Sequence, residues 1–134
     1  MIVVDTNIIA YLYISGEKSL QAEQLLSFDS LWNAPILWRS EFRSVLSQYL
    51  HKGILSLDDI LMIIQQAEKL LDDNEYKISS AHIMQLVNSS NCSTYDCEFV
   101  ALAQYLDIPL ITTDKKILRE FPKVAKSLDF LESI

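Results

Sequence analysis

Short apolar segments alternate with longer helix-like ones along the whole chain, and this alternation constrains the fold more than any other feature. Ile2 to Val4 read as a short buried strand, Ser30 to Ala34 as a second stopped by Pro35, and "IPLITTD" (108–114) as another. Tyr76 to Ile78 read as a short strand, and Asp129 to Leu131 as the last. Between them, helices are expected over Ile8–Ile14, over Ser19–Phe28 with Leu20, Leu25 and Leu26 as apolar positions, and over Leu37–His51. Trp38, Phe42, Val45, Leu46 and Tyr49 give the third helix its apolar stripe, and Gly53 follows as a natural C-terminal cap. Ser56, with Asp59 three residues on, caps a helix to about Leu71. Ser80–Val87 and Tyr95–Leu106 complete the helices, separated by the polar loop "VNSSNCST". Strands alternating with helices imply a mostly parallel sheet covered on both faces. Two glycines and three prolines are too few for an all-β chain, and 134 residues, half of them hydrophobic, suit one domain (1–134) with a packed core.

Other classes fall away on composition. No apolar run reaches the roughly 18 residues that span a membrane. The amino terminus lacks a basic segment, and Asp5 interrupts its apolar start, so it does not read as a signal peptide. Cys92 and Cys97 are the only cysteines, too few for a disulfide framework or a four-cysteine zinc site, and with His82 they still fall short of a ligand set. Two free thiols point to a reducing cytoplasm. A net charge of −7 argues against broad nucleic-acid binding by charge alone and favours a basic partner.

In open α/β sheets, ligands bind beyond the carboxyl ends of the strands. Asp5 follows "IVV" and Asp114 follows "LITT", so both are expected on one edge of one sheet. Each alone is better read as a helix cap, and it is the two together on one edge that point to a site. Glu41 borders the apolar stripe of its helix, where a glutamate can also extend to the rim. Asp96 precedes Phe99, Val100 and Ala103 by three, four and seven residues, which places it in the buried arc of its helix. Ser93 as N-cap with Asp96 at N3 outlines a capping box, which explains an acid in the first turn but not its inward direction. Four carboxylates sharing one location would raise one another's pKa values, and a divalent cation would relieve them. All-oxygen ligands suit Mg²⁺ or Mn²⁺. Thr6, Asn7 and Thr112 would supply neutral groups to orient carboxylates.

"VVDTNIIAYL", "WRSEFRSVL" around Glu41 and "STYDCEFVALAQYLDIPLITTDKKIL" together resemble the PIN-domain ribonucleases, most closely the VapC-type toxins of prokaryotic toxin–antitoxin pairs. The match in order and spacing spans almost the whole chain, with little signal from Lys52 to Asn91. The resemblance implies a three-layer α/β/α sandwich and metal-dependent cleavage of RNA with a 3′-hydroxyl leaving. It maps the family's four acidic metal ligands onto Asp5, Glu41, Asp96 and Asp114, and its supporting polar positions onto Asn7 and Thr112. It also implies a cognate antitoxin that brings a basic side chain to the acids, and a homodimer. Arg39 and Arg43, flanking Glu41 on its helix, and Lys115 and Lys116 after Asp114 are the cations available to grip RNA phosphates. Three readings compete. A receiver-type phosphoacceptor domain has no use for Glu41 or Asp96. A haloacid-dehalogenase-type phosphatase needs Asp-x-Asp where this chain has Asp5-Thr6-Asn7. A catalytically silent interaction module on the same fold stays open.

Overall fold

A computed structural model describes residues 1–129. Its element order is β1 (Ile2–Val4), α1 (Thr6–Tyr13), α2 (Ser19–Phe28), β2 (Trp32–Pro35), α3 (Trp38–His51), α4 (Leu57–Leu70), β3 (Glu75–Tyr76), α5 (Ser80–Asn88), α6 (Thr94–Leu106), β4 (Leu110–Thr112), α7 (Lys115–Glu120) and β5 (Ala125–Ser127). The strands form one sheet in the order β3-β2-β1-β4-β5, and every neighbouring pair is parallel. Helix α1 packs on α2, α3 and α4, while α5 and α6 pack together and α6 lies across β1, β2 and β4. The sheet is thus the middle of three layers, as expected, and the fully apolar β1 is buried on both faces.

The helix boundaries follow from their caps. Asp5 has extended backbone angles and accepts a hydrogen bond from the Thr6 amide, so α1 begins at Thr6, two residues before the first strongly apolar position. Ser56 and Asp59 form the anticipated capping box on α4. Gly53 adopts φ +70° after α3; its amide reaches Leu50 O and the Ile54 amide reaches Tyr49 O, a Schellman closure. Cys92 and Cys97, both buried and free, occupy the positions just before the N-cap of α6 and at its fourth residue, where a hydrophobic staple packs.

The strands differ more from expectation. Pro35 does not stop β2 but ends it: the amides of Ala34 and Ile36 bond toward β3, so the intervening position faces the side where β1 has already turned into α1. Strand β3 starts at Glu75 rather than Tyr76. Helix α7 has no counterpart in the sequence reading; its cap is Asp114, which accepts from the Lys116 and Ile117 amides. The last described strand is Ala125–Ser127, not Asp129–Leu131: Asp129 lies in a short turn, and residues 130–131 fall outside the described residues. Leu20, expected as an inward position of α2, is 63% exposed, whereas Ala22 and Leu25 are buried.

Candidate functional site

The parallel sheet brings the ends of β1 and β4 side by side, with Val4 opposite Ile111. The residues that follow are therefore neighbours, and the Asp5 amide donates to Ile111 O at 3.0 Å. One carboxylate oxygen of Asp5 accepts from the Thr6 amide at 2.8 Å, and the other accepts from the Thr112 hydroxyl at 2.7 Å. That hydroxyl in turn accepts from the Asp114 amide at 3.0 Å. The Thr6 hydroxyl donates to Glu41 of α3 at 2.7 Å. Thr6 and Thr112 are both buried, so two threonines join Glu41, Asp5 and Asp114 into one hydrogen-bonded chain.

Asp96 enters through space. Burial raises its pKa first, the Asp114 charge adds to this, and hydrogen bonds at Ser93 pull the other way. Burial pushes Asp5 from 3.8 up to about 6 against the stabilising bonds from Thr112 and Thr6, with further increments from the charges of Glu41 and Asp96. Glu41 is raised by burial, then by Asp96 and Glu98, with the Thr6 bond opposing. Asp96 therefore caps and faces inward at once: its amide donates to the Ser93 hydroxyl at 3.1 Å while its charge acts on the other acids. Among the described residues, none of the ion pairs involves these four acids. Hydrogen bonds and the Lys116 charge near Asp96 offset their repulsion only in part, and Asp5, Glu41 and Asp96 remain raised.

The surrounding residues divide differently from the sequence expectation. Arg39 and Arg43 flank Glu41 only in sequence; two residues either way is about 200° around a helix, the far side. Arg39 forms a paired contact with Glu75 of β3, at 2.6 and 2.7 Å, which Trp38 Nε1 joins at 2.7 Å. Arg43 donates to the Arg39 carbonyl. Lys116 stays within electrostatic range of Asp96, whereas Lys115 lines a separate groove with Thr113 and Lys18. Asn7 is exposed and lines a neighbouring groove. Glu98, whose charge acts on Glu41, is a fifth acid that spacing does not place with the others, since it lies about 200° around α6 from Asp96.

Among the described residues, no three His, Cys, Asp or Glu side chains already surround a single metal position. Asp5, Glu41 and Asp114 instead hold threonine hydroxyls and backbone amides. The donor chemistry nonetheless fits a hard divalent cation: the cluster is all oxygen, partly buried, and in no ion pair among the described residues.

A curated relative, Ribonuclease VapC3 of Pyrobaculum aerophilum, is 27% identical over 124 residues, covering 90% of this chain and 95% of that protein. Two solved structures share the fold. A toxin–antitoxin complex from Klebsiella pneumoniae matches with TM-score 0.71 at 20% identity, covering 96% of this chain and 98% of that one. FitAcB from Neisseria gonorrhoeae matches with TM-score 0.76 at 14% identity over the same shares. The PIN domain model matches residues 2–126, from β1 into β5 and so across all four acids, and the chain belongs to the PIN-domain family.

Proposed function

We propose that this protein is a Mg²⁺- or Mn²⁺-dependent endoribonuclease and the toxin of a toxin–antitoxin pair. The observation that carries the reading is the cluster of Asp5, Glu41, Asp96 and Asp114 at the carboxyl edge of the sheet, where three of the acids stay raised and none forms an ion pair among the described residues. Asp5, Glu41, Asp96 and Asp114 would hold the ion, which when bound supplies an acidified water and positive charge at the phosphate. Thr112 fixes the Asp5 carboxylate and the Asp114 backbone, and Thr6 fixes Glu41, which would orient these acids toward an ion. Lys116 beside Asp96 is the nearest cation for a phosphate oxygen, and Asn7 offers an exposed amide. A water oxygen bonds to phosphorus, the bond from phosphorus to the 3′-oxygen breaks, and that oxygen gains a proton.

The products should carry 5′-phosphate and 3′-hydroxyl ends, read by end-labelling a cleaved ribo-oligonucleotide in Mn²⁺ and in chelator. Cyclic 2′,3′-phosphate ends would mean that the 2′-hydroxyl attacked and that the acids do not activate water. No cleavage with either ion would favour the silent interaction module. Arg39→Met should leave cleavage within about twofold while costing about 1 kcal/mol of stability, the scale of a half-exposed paired ion bridge. A large loss of cleavage in the folded variant would return Arg39 to the site.

The named relative and the Klebsiella complex support a cognate antitoxin. A basic tail on it suits both the net charge of −7 and the unpaired acids. A homodimer belongs to the same proposal, with exposed Leu57 and Leu61, one turn apart on α4, and Ile54 as apolar surface for it. Among the described residues, no helix is long and apolar enough to cross a membrane. The cytoplasm is the compartment we assign, on the two free thiols.

A further inference from the structure

An acidic ribonuclease has to hold a polyanion beside its own carboxylates, so the cations that bind the strand must sit outside the cluster yet continuous with it. Two grooves meet this condition. One, of about 320 Å³, starts at Asn7, two residues past Asp5, and runs along Tyr11 and Tyr49 to Lys18. The other, of about 300 Å³, is lined by Thr113 and Lys115, on either side of Asp114, and by Gln21 and Lys18. Lys18 belongs to both.

Tyr11 links the two grooves. It stands one turn beyond Asn7 on the same face of α1, and its hydroxyl shares a 3.2 Å hydrogen bond with the Thr113 hydroxyl. The Lys18 ammonium lies 5.6 Å from the centre of the Tyr11 ring. Lys18 makes no ion pair among the described residues, so an aromatic face and not a carboxylate holds its charge. Glu17 also lines the first groove but is exposed, and Asp129 in the second is hydrogen-bonded to the Ser127 hydroxyl.

Resting on the nuclease reading, we infer that Lys18, positioned by Tyr11 and joined by Lys115 across the second groove, binds a backbone phosphate of the RNA strand away from the bond that is cut. The occupant is RNA and not the basic tail of a protein partner: such a tail is drawn to the acid cluster, whereas Lys18, held by an aromatic ring and by no carboxylate, attracts a phosphodiester together with Lys115. Lys18 is a binding residue with no part in the chemical step, so its loss weakens binding and leaves turnover intact.

The test is binding and cleavage of a fluorescent mixed-sequence ribo-oligonucleotide. Binding is measured over a salt series in an Asp5→Asn background, with and without Lys18→Gln. Cleavage is measured in Mn²⁺ with Lys18→Gln alone. Lys18→Gln should raise Kd roughly fivefold and lower the log–log salt slope by about 0.7, the contribution of one single-strand phosphate contact. KM should rise similarly while kcat stays within about twofold of the wild-type value. Lys18→Arg should restore both, and Lys69→Gln, an exposed lysine on α4, should change neither. Unchanged Kd and salt slope in Lys18→Gln, with wild-type cleavage intact, would overturn the groove assignment and leave the nuclease reading standing. Lys18-dependent binding without any cleavage by wild type would do the reverse, and absence of both would remove both.

Discussion

Asp5→Asn is expected to reduce RNA cleavage by at least about a thousandfold and, in chelator, to make the protein more stable. The two effects share one cause. Asp5 titrates near 3.8 when unfolded and at about 6 when folded, because burial and the neighbouring acids disfavour its charge. The folded state therefore binds this proton more tightly. That contribution to stability is full below pH 4 and is lost as pH rises through about 6. Above pH 6 the ionised carboxylate costs the metal-free fold about 3 kcal/mol. Asparagine keeps the size and one acceptor for Thr112 or Thr6 without the charge. At pH 7 in chelator its melting temperature should exceed that of wild type by roughly 9 °C. Between pH 4 and pH 7 the wild type should lose stability relative to the variant; Glu41 and Asp96, raised in the same direction, leave the variant a smaller dependence of the same sign. Thermal unfolding across that range, with cleavage measured in Mn²⁺, checks both halves. Parallel pH profiles for the two proteins would mean that Asp5 is not a buried charge. Retained cleavage would remove it from the chemistry.

The positions of the acids were legible because each is an exception to a local pattern. Asp5 and Asp114 end apolar strands, Glu41 borders an apolar stripe, and Asp96 interrupts a buried helical arc. Thr6 and Thr112 were also legible as groups that orient carboxylates, but which acid each one holds was not: the parallel β1–β4 pairing sets the Thr112 hydroxyl against Asp5, and α3 brings Glu41 to Thr6. Arg39 and Arg43 flank Glu41 in sequence but lie about 200° from it around α3, where Arg39 pairs with Glu75, because sequence adjacency is not adjacency on a helix. Strand β5 escaped because only Ala125 of its three residues is buried, so it carries no apolar run and is fixed by pairing with β4. Helix α7 is six residues long, and its clearest signal, Asp114 as a cap, was already accounted for as a ligand. Lys18 had no motif at all: its place depends on the loop between α1 and α2 folding back over Tyr11.

Excess Mn²⁺ should stabilise the wild-type protein by about 2.7 kcal/mol at one hundred times its dissociation constant, since an ion that binds only the folded state shifts the equilibrium by mass action. For a domain of this size that corresponds to roughly 8 °C in melting temperature. The gain has a definite source: binding replaces the mutual repulsion of Asp5, Glu41 and Asp96 with attraction to one cation. It should therefore be large at pH 7 and shrink below pH 6, where protons compete for the same carboxylates. Asp96→Asn should lose most of the shift. Its role in the helix cap survives the change, because the bond to the Ser93 hydroxyl from the amide of residue 96 belongs to the backbone, and asparagine keeps one oxygen to accept from Ser93 in place of the carboxylate. Asp58→Asn, an exposed acid in the first turn of α4, should keep the full shift. Unfolding of the three proteins in chelator and then in Mn²⁺ separates the readings. Equal shifts in all three would place the ion elsewhere and reduce Asp96 to a capping residue. A shift confined to the wild type and Asp58→Asn, in a protein that cuts no RNA, would establish the metal site while assigning the fold to an interaction module. The same shift in a protein that does cut would tie the cluster's electrostatic strain directly to its chemistry.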